Sequence, residues 1–207
     1  LWWAARRTVV ADTFAFSRQA THNRARIRTA TGAQWLTVPR AHAPVGTPLA
    51  GVGIMADGWP RRHGHALRTA YGMAPYAEHY LPEVAGLLAA PYASMGALAV
   101  ATTEWLARQL GVADRLVRAS ALPGAPATVS QVHAAVGGGT LRTTPAAAAH
   151  DARAVGGDVR AVTLADGAYY RQTFPGFVPG LSALDLLLNH GPSSGDWLGE
   201  HVRVAPW

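Results

Sequence analysis

The hydrophobic and polar positions of the chain fall into three stretches with different periods. In the first, Val9 to Phe16 and Arg24 to Thr29 alternate or carry β-branched residues, and Gln34 to Val38 is a short apolar run closed by Pro39. A period of two predicts strands, because successive side chains point to opposite faces of a pleated backbone. Thr31-Gly32 is a turn signal between the second and third strands, Ala41 to Ala50 reads as loop, and Val52 to Met55 as one more short strand. The period then changes. Pro60 opens a helix over Arg61 to Ala70, since proline is tolerated in a first turn. Met95, Leu98, Thr102, Trp105, Leu106 and Leu110 recur at helical spacing, with Gly111 placed as a left-handed cap. Pro75, Pro82 and Pro91 punctuate the stretch between and predict short helices there. In the last third, strands at Arg115 to Arg118, Thr140 to Thr143 and Val159 to Leu164 alternate with helices at Thr128 to Val136, Ala146 to Ala154 and Leu181 to Asn189. Gly191-Pro192 stops the last helix, and Ser193, Ser194 and Asp196 read as loop.

Strands separated by helical segments predict an α/β fold with a mainly parallel sheet flanked by helices, behind an extended, β-rich N-terminal third. With 207 residues and no internal repeat, residues 1–207 read as a single domain. Such a chain can bury enough surface to need no disulfide or metal staple.

Composition narrows the chemistry. Charged residues make up 14% of the chain against roughly 25% in an average globular protein, which argues against disorder. All 18 basic residues are Arg, and there is no Cys. That removes Schiff-base and P-loop lysines, cysteine nucleophiles and thiolate zinc sites. Acid–base work is left to nine His, twelve carboxylates and six Tyr. The formal charge of +6 points to anionic partners. The arginines are scattered, and the densest group, Arg24, Arg26 and Arg28, alternates along one strand face. Nucleic-acid binders concentrate charge and interleave aromatics, so nucleic acid is disfavoured against a small phosphate-bearing anion such as a nucleotide-sugar. No apolar run approaches the roughly 20 residues that span a bilayer. Leu1 to Arg7 has its charges after its apolar residues, the reverse of a secretory leader, and no initiator Met precedes it. A cytoplasmic protein, begun inside a longer natural chain, is the expectation.

Four groups of residues are candidates for a site. In His22-Asn23-Arg24, Arg24 can clamp a phosphate or carboxylate and Asn23 can read a sugar hydroxyl, with Arg18 as a further cation. Alternatively Asn23 only stabilises the start of the strand. If the helix starts as early as Trp59, then Trp59 and His63 share one face and Tyr71 falls near it, which suits sugar stacking beside an acid–base imidazole, or simply a buried face. Ser182 and Asp185 form a capping-box pattern, yet Asp185 also shares a face with Leu181 and Leu188. An inward carboxylate there has a raised pKa and suits a general base, with Arg171 or His190 as its partner. Arg171 and Gln172, beside Tyr170, precede a Gly/Pro-rich loop that resembles a backbone anion site. His63 and His65 point apart on a helix, and no metal or cofactor is expected. His150 and Asp151 also diverge, and no GxSxG or GxGxxG is present.

Three blocks in order carry a family resemblance: HNRARI at 22–27 with QWLTVP at 34–39, Trp59 with RRHGHALRTAYGMAPYAEHY at 61–80, and YRQTFPGFVPGLSALDLLLNHGP at 170–192. Together they resemble the WbqC-like family, linked to bacterial surface-polysaccharide (O-antigen) gene clusters. Proteins of that family begin with a Gln-Pro and Tyr/Pro-rich strand that this chain lacks. The resemblance implies a role in surface-glycan biosynthesis, either as a transferase placing an aminoacyl or acyl group on a nucleotide-linked amino-sugar or as a non-catalytic sugar-nucleotide-binding or scaffolding protein. In the first case Arg24 holds the anion and Asp185 or His63 manages the proton.

Overall fold

A computed structural model describes residues 2–17 and 21–207. Three short strands and a group of helices build the part that carries the candidate residues. Strand β1 is Thr8–Val10; β2 (Arg24–Thr29) and β3 (Gly32–Thr37) form an antiparallel hairpin in which Thr29 faces Gly32 and Arg26 faces Trp35. The alternation of β2 sends Ile27 into the core, and Arg24, Arg26 and Arg28 to the opposite face. Three helices follow, α1 (Trp59–Tyr71), α2 (Ala77–Ala89) and α3 (Met95–Gln109). Asp57 accepts from the Trp59 amide at 3.0 Å and so occupies one of the donors left free at the start of α1. Ser94 caps α3 by accepting from the Ala97 amide at 3.2 Å, and Gly111 follows the helix at φ +71°. Helix α2 runs through Pro82, where the sequence predicts a break. The ring lies on the exposed face of the helix, where water can serve the carbonyl that loses its partner.

The main core is made by Ile27 of β2, Leu67 and Tyr71 of α1, Tyr80 and Val84 of α2, Trp105 of α3, and Leu187 and Leu188 of α6 (Ala183–His190). Around it, β1 pairs in parallel with β4 (Leu116–Arg118), and α4 (Val129–Ala135) precedes β5 (Leu141–Thr143). Helix α5 (Pro145–Val155) is the crossover that lets β5 run parallel to β6 (Val159–Leu164). Helix α7 (Ser194–His201) leads into β7 (Val202–Pro206), antiparallel to β6.

The protein is thus a mixed α/β fold; among the described residues the strands form separate small sheets of two, two and three, some pairs parallel, with no single mainly parallel sheet among them. The reason lies between β3 and β4. Three helices follow one another there with no named strand between them, so they cover the hairpin instead of returning the chain to one growing sheet. The predicted strand at Val52 to Met55 reduces to a single bridge between Arg40 and Ile54. Among the described residues, no helix is long and apolar enough to cross a membrane.

Helix α3 approaches the turn at Leu49–Gly51 through Gly96, where an added Cβ would stand 2.9 Å from the Ala50 nitrogen and the Leu49 carbonyl carbon. Main chain cannot swing aside as a side chain can. Gly96→Ala is therefore expected to cost about 1–3 kcal/mol of stability, read as a lower denaturation midpoint at unchanged m.

Candidate functional site

The start of β2, the middle of α1, the apolar faces of α2 and α3 and the start of α6 enclose a cavity of about 470 Å³. Val84, Leu88, Leu98 and Trp105 form its apolar wall. Its polar side chains include His22, Asn23, Arg24, His63 and Ser182. The chain thus brings residues of the first, second and third sequence blocks to one cavity. A hollow of this size is in the range that takes a small organic ligand.

The two imidazoles are prepared differently. His22 Nδ1 accepts from the Ser17 amide at 3.3 Å, and the ring meets Phe16 edge-on. A nitrogen that accepts carries no proton, so neutral His22 bears its hydrogen on Nε2 and is a donor there. His63 is 8% exposed and meets the Trp59 ring edge-on. Burial pushes both imidazoles below the ordinary histidine range, with no other cause for His22. For His63 the nearby Thr37 main chain opposes that trend. A neutral imidazole keeps one nitrogen lone pair that can take a proton. The cavity therefore presents one imidazole N–H and one imidazole lone pair near neutral pH.

Arg24 forms no ion pair with any described carboxylate. Its guanidinium lies 4.6 Å above the Trp35 ring, and its Nε is buried with no hydrogen-bond partner among the described residues. Asn23 is partly spent on structure: its Nδ2 donates to the Val38 carbonyl at 2.8 Å, and the Val38 amide donates back to the Asn23 carbonyl at 2.8 Å. That pair extends the hairpin beyond its ladder.

Asp185 occupies a separate place. It is fully buried in α6, and its Oδ2 accepts from the Tyr170 hydroxyl at 2.7 Å and from Gln172 Nε2 at 3.1 Å. The Tyr71 hydroxyl accepts from the Arg28 amide at 2.8 Å and stands beside the same carboxyl as a further donor, while Oδ1 has no partner of hydrogen-bond geometry. Burial raises the Asp185 pKa, against the pull of the Tyr170, Tyr71 and Gln172 donors and of the Arg28 charge. Burial and the neighbouring carboxylate push both tyrosine hydroxyls up. Arg28 donates to the carbonyls of Gly32, at 3.4 Å, and Pro175, at 2.7 Å, and also to that of Thr29. Gln172 binds the Val178 amide and carbonyl at 2.9 and 3.0 Å. The cluster thus fastens the 172–178 loop to β2, α1 and α6.

The sequence candidates therefore divide. His22, Asn23, Arg24, His63 and Ser182 line the cavity; Asp185, Tyr71 and Gln172 form the buried cluster beyond it. Ser182 caps α6 by accepting from Leu184 at 3.3 Å, while the Asp185 side chain turns inward and does not complete a capping box. Trp59, 4% exposed in an apolar cluster, has no open ring face for a sugar. Arg171 is exposed, and it is Tyr170 and Gln172, on either side of it, that reach Asp185. That is the spacing of an extended segment, in which alternate side chains share a face. Arg18 lies outside the described residues. His150 and Asp151 do meet, at 3.2 Å, but Thr143 Oγ1 holds the other carboxylate oxygen at 2.6 Å and the imidazole is largely exposed. Tyr170, Arg26 and Arg28, which the sequence marks only as neighbours of candidates or as part of a basic strand face, and Trp35, which it does not mark, are participants without a role predicted for them. Among the described residues, no three His, Asp or Glu side chains are grouped as a metal ion would require.

The family model described as the WbqC-like protein family matches residues 3–196. The chain belongs to this family. The match to this WbqC-like chain spans the hairpin, the three covering helices and α6, and so includes every cavity residue named above. Neither the curated proteins nor the solved structures contain a match to it.

Proposed function

We propose that this WbqC-like protein is a cytoplasmic group transferase of surface-polysaccharide biosynthesis that places an acyl or aminoacyl group on an amino-sugar carried by a nucleotide. The observation that carries this reading is the pairing of an imidazole donor, His22, and an imidazole acceptor, His63, on one largely apolar cavity beside Arg24, which meets no described carboxylate. The apolar wall suits the acyl portion of a donor, and Arg24 suits the anionic portion of the carrier. As the amine nitrogen of the acceptor attacks the acyl carbon, the lone pair of His63 takes the amine proton. His22 Nε2 donates to the oxygen on which negative charge develops. The bond from the acyl carbon to its leaving group then breaks, and the proton returns to that group. Asp185, buried apart from the cavity, acts as a positioning residue through the loop that it fastens.

A binding or scaffolding role rests on a different observation: no described carboxylate hydrogen-bonds to either imidazole to orient it in the manner of a catalytic dyad. One assay separates the two. Nucleotide-linked amino-sugars are incubated with thioester or adenylate donors, and the acceptor is followed by mass for a gain of one acyl group. Turnover is expected, and Ala99→Phe, which grows a ring into the cavity from α3, is expected to lower kcat/KM by about tenfold or more with the melting temperature maintained. Saturable binding of the amino-sugar nucleotide with no mass gain from any donor class would establish the binding role instead.

A further inference from the structure

The face of β2 turned away from the core carries two cations with which no described residue forms an ion pair or a side-chain hydrogen bond. Arg24 and Arg26 make no ion pair or hydrogen bond through their guanidinium groups with any described residue, whereas Arg28, next in the alternation, is held by main-chain carbonyls. Both free guanidiniums lie over one indole, that of Trp35, at 4.6 and 5.7 Å from the ring centroid. Trp35 is itself 45% exposed, a large aromatic left open to solvent. Two residues along a strand separate the Arg side chains by roughly 7 Å, so their like charges repel unless an anion lies between them. Among the described residues the buried Nε of Arg24 finds no acceptor, whereas a guanidinium N–H withdrawn from water is normally satisfied.

The loop before α6 completes the arrangement. The Ser182 amide donates to the Arg26 carbonyl at 2.8 Å, and Gly180 sits in the left-handed region at φ +69°. A Cβ there would stand 3.3 Å from Arg26 Nη1. Bare main chain therefore passes close to the guanidinium, as it does where a backbone must approach a ligand. Arg24 lines the cavity and also belongs to this face, so the two regions adjoin.

We propose that Arg24, Arg26 and Trp35 form a binding site for a diphosphate group at the rim of the cavity. Two fork-shaped donors match the several oxygens and the charge of a diphosphate, whereas one carboxylate would leave a cation uncompensated. This deepens the transfer reading, on which it rests only for what the diphosphate carries.

The test is calorimetric titration with inorganic pyrophosphate, inorganic phosphate and acetate at low salt. Melting curves of every variant establish folding. Pyrophosphate is expected to bind more tightly than phosphate, and acetate not measurably. Arg24→Gln and Arg26→Gln are each expected to weaken pyrophosphate about tenfold or more, and together to abolish its binding. Arg26→Lys, which keeps the charge and loses the fork, should fall between Arg26→Gln and the parent. Arg153→Gln, which removes an exposed cation from α5, should leave pyrophosphate affinity unchanged. Pyrophosphate binding no tighter than that of acetate, or binding that survives in the folded double variant, would overturn the proposal. The two readings fail separately. Pyrophosphate binding without transfer from any donor sinks the transferase and leaves this site standing, whereas undiminished transfer by the double variant sinks the site and leaves the transferase.

Discussion

Replacing His63 by Gln is expected to lower the transfer rate by about two to four orders of magnitude, the usual worth of a positioned general base. Gln approximates the size of the ring, but it has no basic nitrogen. The cavity and its Trp59 contact are thereby largely kept, so binding of the acceptor should change little. The expected signature is a fall in kcat with KM nearly constant, which separates lost chemistry from lost binding. The pH profile supplies a second check. Burial lowers the His63 pKa, so the acid limb of kcat/KM should lie below the ordinary histidine value of 6.5. The same shift has a consequence for stability. An imidazole that is harder to protonate folded than unfolded leaves the unfolded state with more protons between the folded and unfolded pKa values. His22 and His63 should both contribute stability that is present above the ordinary histidine pKa and is lost as pH falls through their lowered values. His63→Gln should flatten that part of the melting-temperature profile. Unchanged turnover in the Gln variant would remove His63 from the chemistry.

Local pattern made many of the elements legible and left their assembly hidden. Arg24 to Thr29 and Val159 to Leu164 are strands over the predicted residues, because alternation and β-branching act within one segment. Helix α3 follows its apolar stripe from Met95 and is closed by Gly111 as its position predicts. Helix α7 and strand β7 were illegible for a related reason. Ser193, Ser194 and Asp196 resemble turn chemistry, yet the Ser194 hydroxyl donates to the Gly191 carbonyl at 2.6 Å and starts a helix. Trp197 is buried against Leu186 of α6 and the Tyr170 ring, partners that no local pattern names. Sheet order is likewise non-local: β1 finds β4 across the whole hairpin and three helices.

The site shows the same division. His22, Arg24 and His63 were legible as polar residues at the start of a strand and on a helix face. Which face points to a cavity depends on the packing of α2 and α3, so Trp59, four residues before His63, turns out to be core. Tyr170 was hidden because its role needs Asp185, fifteen residues on, to be turned inward.

Asp185→Ala is expected to cost about 2–4 kcal/mol of stability, the larger of the two structural effects foreseen here. The substitution strands the Tyr170 hydroxyl in the interior, removes one of the two acceptors of Gln172 Nε2 and opens a small void. Asp185→Asn is the informative companion. Its amide oxygen can still accept from Tyr170 and Gln172, and its nitrogen can donate to the Tyr71 hydroxyl, so the network survives without a charge. The sign of its effect follows from the raised pKa of Asp185. A carboxyl that holds its proton more tightly folded than unfolded contributes stability fully present below the unfolded carboxyl pKa. That contribution is lost as pH rises through the folded value. Above it the wild-type protein bears the cost of a buried charge that Asn avoids. The stability difference between Asn variant and wild type should therefore move in favour of Asn as pH rises, with a net loss of at most about 1 kcal/mol near neutrality. Because Asp185 lies outside the cavity, the Asn variant should also keep its turnover within a few-fold. The measurement is a set of melting curves across pH beside the transfer assay. A fall of two or more orders of magnitude in turnover at unchanged stability would overturn the positioning role and make Asp185 the base. Activity that instead tracks the folded fraction across Ala, Asn and wild type would mean that the carboxyl acts only by holding the 172–178 loop against β2, where the Arg28 guanidinium meets it from the other side.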